Sequence, residues 1–356
     1  MRIAIDAMGN DKGCPPIVAG VAQFIADPSF TDTTVVLVGD RDKIAPALAE
    51  AGLPADHPRL EIVHCTQVVE MWDKFDDIKR KKDSSIVRLV ETVKEGRADG
   101  MVALGNTVAA VGAATLGLRH IKGVRRAGLA VTLPAGDDGV CVCCDMGSNI
   151  NAKPEHLADY AIMCSVYADK VLRLPNPRVG LLNVGEERGK GNLVLNETFA
   201  LLEKAPVNFI GNVEGRDLWN GRCDVVICDG FVGNAILKST EGVLRAMNGW
   251  IKYGVSKQGI LAKLGALLMR PAFKYPKERG NPDYYGGMPL LGVNGVCMIG
   301  HGGSRPLGVY HALKNARAAV GNDLTRIIAE QTQKLREAAG GVGGGEGEEK
   351  PEEEKQ

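Results

Sequence analysis

Short β-rich segments recur along this chain, separated by stretches of helical period, and the apolar ones stop abruptly at Gly, Asn, Asp or Glu. Residues 3–7, 35–39, 60–64, 100–103, 129–133 and 140–144 read as strands, followed by 179–184, 207–210 and 225–228. Strands alternating with helices imply βα units around a mostly parallel sheet. In such a sheet ligands bind in the crevice outside the carboxyl ends of the strands, so polar residues gathered at several ends mark one shared site. The helical period is clearest over 84–95. There Ile86, Leu89, Val90 and Val93 share one face, Asp83 or Ser84 can cap the start, and Gly96 suits the stop.

Charge and composition narrow the class. Lys plus Arg equals Asp plus Glu at 43 each, so no global field draws nucleic acid, and an anionic substrate must be held by local charges. Nine cysteines, with no secretory leader read before them, fit a reducing compartment and are read as thiols. No apolar run approaches the roughly 20 residues that span a bilayer. One α/β/α domain is expected over 1–336, with a helical excursion near 250–280. The composition from 337 to 356 (GGVGGGEGEEKPEEEKQ at its core) reads as a disordered acidic tail, because it offers no apolar face to offset ordering entropy.

The local chemistry lies where strands turn into helices. After the strand at 100–103, Gly105 permits a tight turn and Asn106 and Thr107 open a helix, whose free amides and dipole make an anion site. An ordinary Asn or Thr cap is the alternative reading. DMGSN at 145–149 and DGFVGN at 229–234 repeat the design with a carboxylate added. Among the basic residues, Arg80, Lys81 and Lys82 precede the capped helix, where a solvated face is the plain reading for Arg80. Lys190 sits between Gly189 and Gly191 on a pliable loop that can close on a ligand. GEERGKGN is not a nucleotide P-loop: it has three residues between glycines, not four, and Gly191 replaces the Ser or Thr. No GxGxxG follows a strand, which argues against a nicotinamide cofactor. CVCC at 141–144 lacks a CxxC pair and a second ligand cluster, and reads as buried thiols with no metal.

IDAMGND, RKKDSS, GNT, KPEH with SVYA, GLLNVGEERGKGN, NFIGNVEGRD and CDGFVGN occur here in that order. In this the chain resembles the PlsX family of bacterial phosphate acyltransferases over roughly residues 1–317. The resemblance implies transfer of a fatty acyl group from acyl carrier protein to inorganic phosphate, giving acyl phosphate for phospholipid synthesis, with no cofactor. It implies a Rossmann-like α/β/α sandwich related to phosphotransacetylases and to isocitrate and isopropylmalate dehydrogenases. It also implies a homodimer in the cytoplasm, peripherally associated with the inner face of the membrane. A phosphotransacetylase-like enzyme using acyl coenzyme A, and a catalytically weak scaffold for carrier protein or membrane, are the alternatives.

Attack of phosphate on a thioester needs an oriented oxyanion, a partner for the remaining proton and donors for the tetrahedral oxygen. Gly105, Asn106 and Thr107, with Lys82 and Lys190, are the candidates for phosphate. Asn183, Asn212 and Asn234 are the candidates for orienting the acyl carbonyl, and Asp229, Glu214 or His301 for acid/base work; a cap or turn role competes for the Asn, Asp and Glu residues, and a satisfied structural role for His301. Around 257–274, Ile260, Leu261, Leu264, Leu267 and Leu268 share a helical face flanked by Lys257, Lys263, Arg270 and Lys274, which can rest on an anionic membrane or pack as a core or dimer helix. The chain departs from the family motifs at Asn10 and Val108, each in place of glycine, at Trp72 and Phe75, and at HGGSRP where HGSSD is usual.

Overall fold

The computed structural model describes residues 1–338 except 71 and 74. Residues 339–356, most of the expected acidic tail, lie outside the described residues. The chain begins with β1 (Arg2–Asp6), α1 (Cys14–Ala26), β2 (Thr34–Gly39), α2 (Arg41–Glu50) and β3 (Leu60–His64). It continues through α3 (Phe75–Arg80), α4 (Ser85–Lys94), β4 (Gly100–Gly105) and α5 (Thr107–Leu118). β1 pairs in parallel with β2 and β4, and β2 with β3. β1, β2 and β4 are near-continuous apolar runs because helices cover both faces of a parallel sheet. α4 is the helix read over 84–95: Ile86, Leu89 and Val90 are buried, Ser84 holds the cap position without a side-chain bond, and Gly96 turns the chain at φ +70°.

The apolar segment read as one strand over 129–133 is two, β5 (Gly128–Leu129) and β6 (Val131–Ala135), which belong to different sheets. Then come β7 (Gly139–Cys144), α6 (Pro154–Lys170), β8 (Arg178–Leu182), α7 (Leu193–Leu202), β9 (Asn208–Val213) and β10 (Val225–Ile227). A helical excursion follows: α8 (Gly230–Lys257), α9 (Ile260–Leu268) and α10 (Arg270–Arg279). β11 (Met288–Leu291), β12 (Val296–His301), α11 (Pro306–Gly321) and α12 (Leu324–Ala338) complete the described chain.

Among the described residues the strands form a seven-stranded sheet, β3-β2-β1-β4-β12-β11-β5, and a five-stranded sheet, β6-β7-β10-β8-β9. The mixed α/β architecture with mostly parallel strands is as read from the sequence, but the strands divide between two sheets. β12 joins β4 in parallel; β11 and the β6–β7 hairpin supply antiparallel pairs. α6 lies between the sheets, packing on β7, β8 and β10 and also on β11, α11 and α12. Its Tyr160 and Tyr167 are fully buried, and one apolar core runs from Ile3 and Ile5 through α6 to Val179 and Val225. Cys141, Cys143 and Cys144 lie buried in β7. None of the described helices is long and apolar enough to cross a membrane.

Candidate active site

Three loops interlock at the carboxyl end of the larger sheet. An added Cβ would lie 2.3 Å from Leu104 O at Gly9, and 2.5 Å from Gly9 O at Gly105. Only two glycines allow the loop after β1 to meet the end of β4 backbone to backbone. Asn10 ties the same loop to the one after β12: its amide donates to Ser304 O at 2.8 Å, and its Oδ1 accepts the Lys12 N–H at 3.0 Å. In the parallel register His301 stands opposite Gly105, which brings HGGSRP beside GNT.

Asp6 anchors this junction from below, its carboxylate accepting the Met8 N–H at 2.8 Å. Burial pushes it up to about 6, against hydrogen bonds from the Met8 and Gly9 backbone and from Ser85. The folded protein therefore binds this proton more tightly than the unfolded chain between about pH 4 and pH 6, and Asp6's contribution to stability declines as pH rises through that window. Asp159, pushed by burial to about 6 beside Arg336, acts with the same sign. Asp6→Asn keeps the acceptor and removes the titration. Its thermal midpoint relative to the wild type's is expected to rise as pH goes from about 4 to about 6; parallel curves would show that Asp6 does not titrate there.

Between the carboxyl ends of the two sheets opens a cleft of about 780 Å³. Val108 and Val111 of α5, Leu237 of α8, Leu129, Met146 and Met288 give it apolar walls. Thr107, Ser148, Asn234, His301, Ser304 and Arg305 bring polar groups to it. One floor loop is organised by Asp145, which is fully buried and accepts from Leu129 N (2.9 Å), Ser148 N (3.2 Å), Ser148 Oγ (2.8 Å) and Asn149 N (2.6 Å). Burial pushes its carboxyl up, and those bonds oppose the shift. Gly147, at φ +123°, bends the loop and faces Asn234 on the second turn of α8.

The cleft gathers three of the expected residues, Thr107, Asn234 and His301. His301 Nδ1 accepts the Gly303 N–H at 2.9 Å, so a neutral ring carries its proton on Nε2. Asn106 and Asp229 sit one step behind the cleft as helix caps. Asn106 Oδ1 accepts from Ala109 N at 3.0 Å on α5, and Asp229 Oδ1 accepts from Phe231 N and Val232 N at 2.9 Å each on α8. Gly105 is pressed against Gly9, and Lys82 is an exposed residue just before α4.

The remaining expected residues collect at the carboxyl ends of β8 and β9, away from the cleft lining. Asn183 donates to Lys190 O at 3.0 Å and Asn212 to Glu187 O at 3.0 Å, so both hold the GEERGKGN loop. Asn212 is buried, and its Oδ1 has no partner among the described residues. Lys190 is exposed between Gly189 and Gly191, at φ +88° and +83°. Glu214 pairs with Arg216 at 3.0 Å. Sequence reasoning gave no site role to Ser148, Lys238, Ser304 and Arg305. DMGSN marked a strand end that contains Ser148, and HGGSRP marked a departure that contains Arg305. Lys238 carried no signal beyond being a basic residue on a helix.

The arrangement suits an elongated, mostly apolar substrate with a reactive polar end: apolar walls meet a few convergent donors at a helix start. Residues 1–326 match the family described as "Fatty acid synthesis protein". The chain is similar to the phosphate acyltransferase of Desulfitobacterium hafniense (strain DSM 10664 / DCB-2), at 43% identity over 340 residues, covering 95% of this chain and 99% of that one. It is also similar to the phosphate acyltransferase of Heliobacterium modesticaldum (strain ATCC 51547 / Ice1), at 44% identity over 331 residues, covering 93% and 97%. Among solved structures, a phosphotransacetylase from Streptococcus pyogenes shares the fold with a TM-score of 0.59 at 15% identity, covering 90% of this chain and 94% of that one.

Proposed function

The chain belongs to the phosphate acyltransferase family, and from that membership we propose that it transfers a fatty acyl group from acyl carrier protein to inorganic phosphate, supplying acyl phosphate for phospholipid synthesis. The observation that carries this reading is the cleft itself, whose apolar walls lead to Thr107, Ser148, Asn234 and His301. A hydrogenphosphate oxygen attacks the thioester carbonyl carbon and the tetrahedral intermediate collapses with loss of the C–S bond. The hydrogenphosphate proton ends on the leaving sulfur. Thr107 and the first amides of α5 hold the phosphate. The His301 Nε2–H and the Asn234 amide donate to the carbonyl oxygen as it gains charge. No covalent enzyme intermediate is needed. Purified protein given palmitoyl carrier protein and palmitoyl coenzyme A side by side, with acyl phosphate trapped as hydroxamate, tests the donor: product chiefly from the carrier supports the reading, and product chiefly from coenzyme A overturns it.

The surface carries the rest of the proposal. Ile260, Leu261 and Leu268 of α9 are 83%, 81% and 75% exposed, and Lys257, Lys263, Arg270 and Lys274 stand near them in the chain. A helix of this kind rests on an anionic bilayer from the cytoplasmic side. The exposed Leu244, Met247, Trp250 and Ile251 of α8 offer an apolar face to a second copy in a homodimer. Leu264→Asp with Leu268→Asp leaves the core untouched. It is expected to lower co-flotation with anionic liposomes by about tenfold or more, since each aspartate adds the cost of a charge at the interface. Unchanged flotation would rule out α9 as the contact.

A further inference from the structure

We infer that Arg305 is an oxyanion clamp of the cleft, gripping a phosphate group through its two terminal guanidinium nitrogens. The inference rests on the acyl transfer reading of the same site and adds a residue to it. Arg305 holds the cap position of α11 and lines the cleft with Thr107, Ser148 and His301. Its Nε donates to Asp283 Oδ2, and its backbone N–H lies 3.4 Å from Asp283 Oδ1. Asp283 is itself fixed: it is buried, and a Cβ added at Gly308 of α11 would lie 2.5 Å from its Oδ1.

One edge of the guanidinium is thus held by a buried carboxylate while the side chain stays 64% exposed. Its terminal nitrogens bond to no described residue, and a planar fork held this way presents parallel N–H donors spaced for two phosphate oxygens. Lys238, the lysine of the lining, is engaged by Glu241 at 3.3 Å.

The phosphate can be the inorganic substrate or the phosphodiester of the carrier's pantetheine arm, and calorimetric titration separates them with inorganic phosphate and 4′-phosphopantetheine as probes. Arg305→Ala alone leaves Asp283 buried and unpaired, so the decisive variant is Arg305→Ala with Asp283→Asn, with Arg305→Lys beside it. The double variant, folded by its thermal midpoint, is expected to bind one of the two probes about tenfold or more weakly, with Arg305→Lys in between. Weakened phosphate binding assigns the clamp to the attacking substrate, and weakened phosphopantetheine binding assigns it to the carrier arm. Wild-type affinity for both probes in the double variant, or no binding of either by the wild type, overturns the inference. Binding is read without an acyl donor, so absent turnover with intact, Arg305-dependent binding would fault the reaction and leave the clamp standing.

Discussion

His301→Ala is expected to lower kcat for acyl phosphate formation by about 10²–10³-fold, the usual loss when one preorganised oxyanion donor is removed. The geometry makes the ring a donor. With Nδ1 occupied by the Gly303 N–H at 2.9 Å, Nε2 is the protonated nitrogen of the neutral imidazole, and His301 lines the cleft at the end of β12. Because the side chain is exposed, its removal costs little packing, and the thermal midpoint is expected to stay close to that of the wild type. A donor needed in the transition state lowers kcat and kcat/KM together, whereas a residue that only binds substrate raises KM with kcat unchanged. His301→Gln, which keeps an N–H at similar reach, is expected to recover part of the loss. Wild-type kcat in His301→Ala would remove the ring from the chemistry.

The second large effect comes from a glycine. A Cβ added at Gly233 would sit 2.0 Å from Asp145 O and 3.0 Å from Asp145 C, both backbone atoms, so no rotamer change relieves the clash. One at Gly230 would sit 2.6 Å from Asp145 Oδ2. The first turn of α8 is therefore seated directly on the loop that Asp145 organises, and backing away would carry Asn234 and Leu237 out of the cleft. Gly233→Ala is expected to cost about 3 kcal/mol or more, at the upper end of overpacking, with several degrees lost from the thermal midpoint and a loss of turnover larger than the unfolded fraction explains. Gly242→Ala, later in the same helix with nothing within 4 Å of its added Cβ, is the control. It is expected to be neutral or to stabilise by about 0.5–1 kcal/mol. Equal behaviour of the two variants would contradict the seating of α8.

Much of both sheets was legible because buried parallel strands are written as apolar runs with sharp polar ends. β1 to β4 and β7 to β10 fall where such runs occur, and α4 falls where the period and Gly96 place it. β11 and β12 were not read. Met288–Leu291 is a short piece interrupted by Pro289 that follows two glycines, and in Val296–His301 only four apolar residues precede Gly300, so neither stands out as a long run. That omission mattered, because β12 carries His301 to the cleft and sets HGGSRP beside GNT. The division into two sheets was also hidden: Leu129 and Val131 look like one strand, while α6 wedges between the sheets they join.

Strand ends announced the neighbourhood of the site but not its membership. A polar residue at a strand end can face the cleft or hold a loop, and the sequence is the same for both. Asn234 and Thr107 face the cleft, whereas Asn183 and Asn212 hold the GEERGKGN loop by their amides. Residues such as Lys238 and Arg305 become visible only when α8 and α11 are brought over the ends of the sheets.

The most direct test of the account is phosphorus NMR of the purified protein mixed with palmitoylated carrier protein and inorganic phosphate, with free thiol measured in parallel. An acyl phosphate resonance growing in step with thiol release, and both absent without phosphate, is the predicted result. Thiol release that proceeds equally without phosphate, with no new phosphorus resonance, would make the protein a thioesterase and contradict phosphate attack in the cleft.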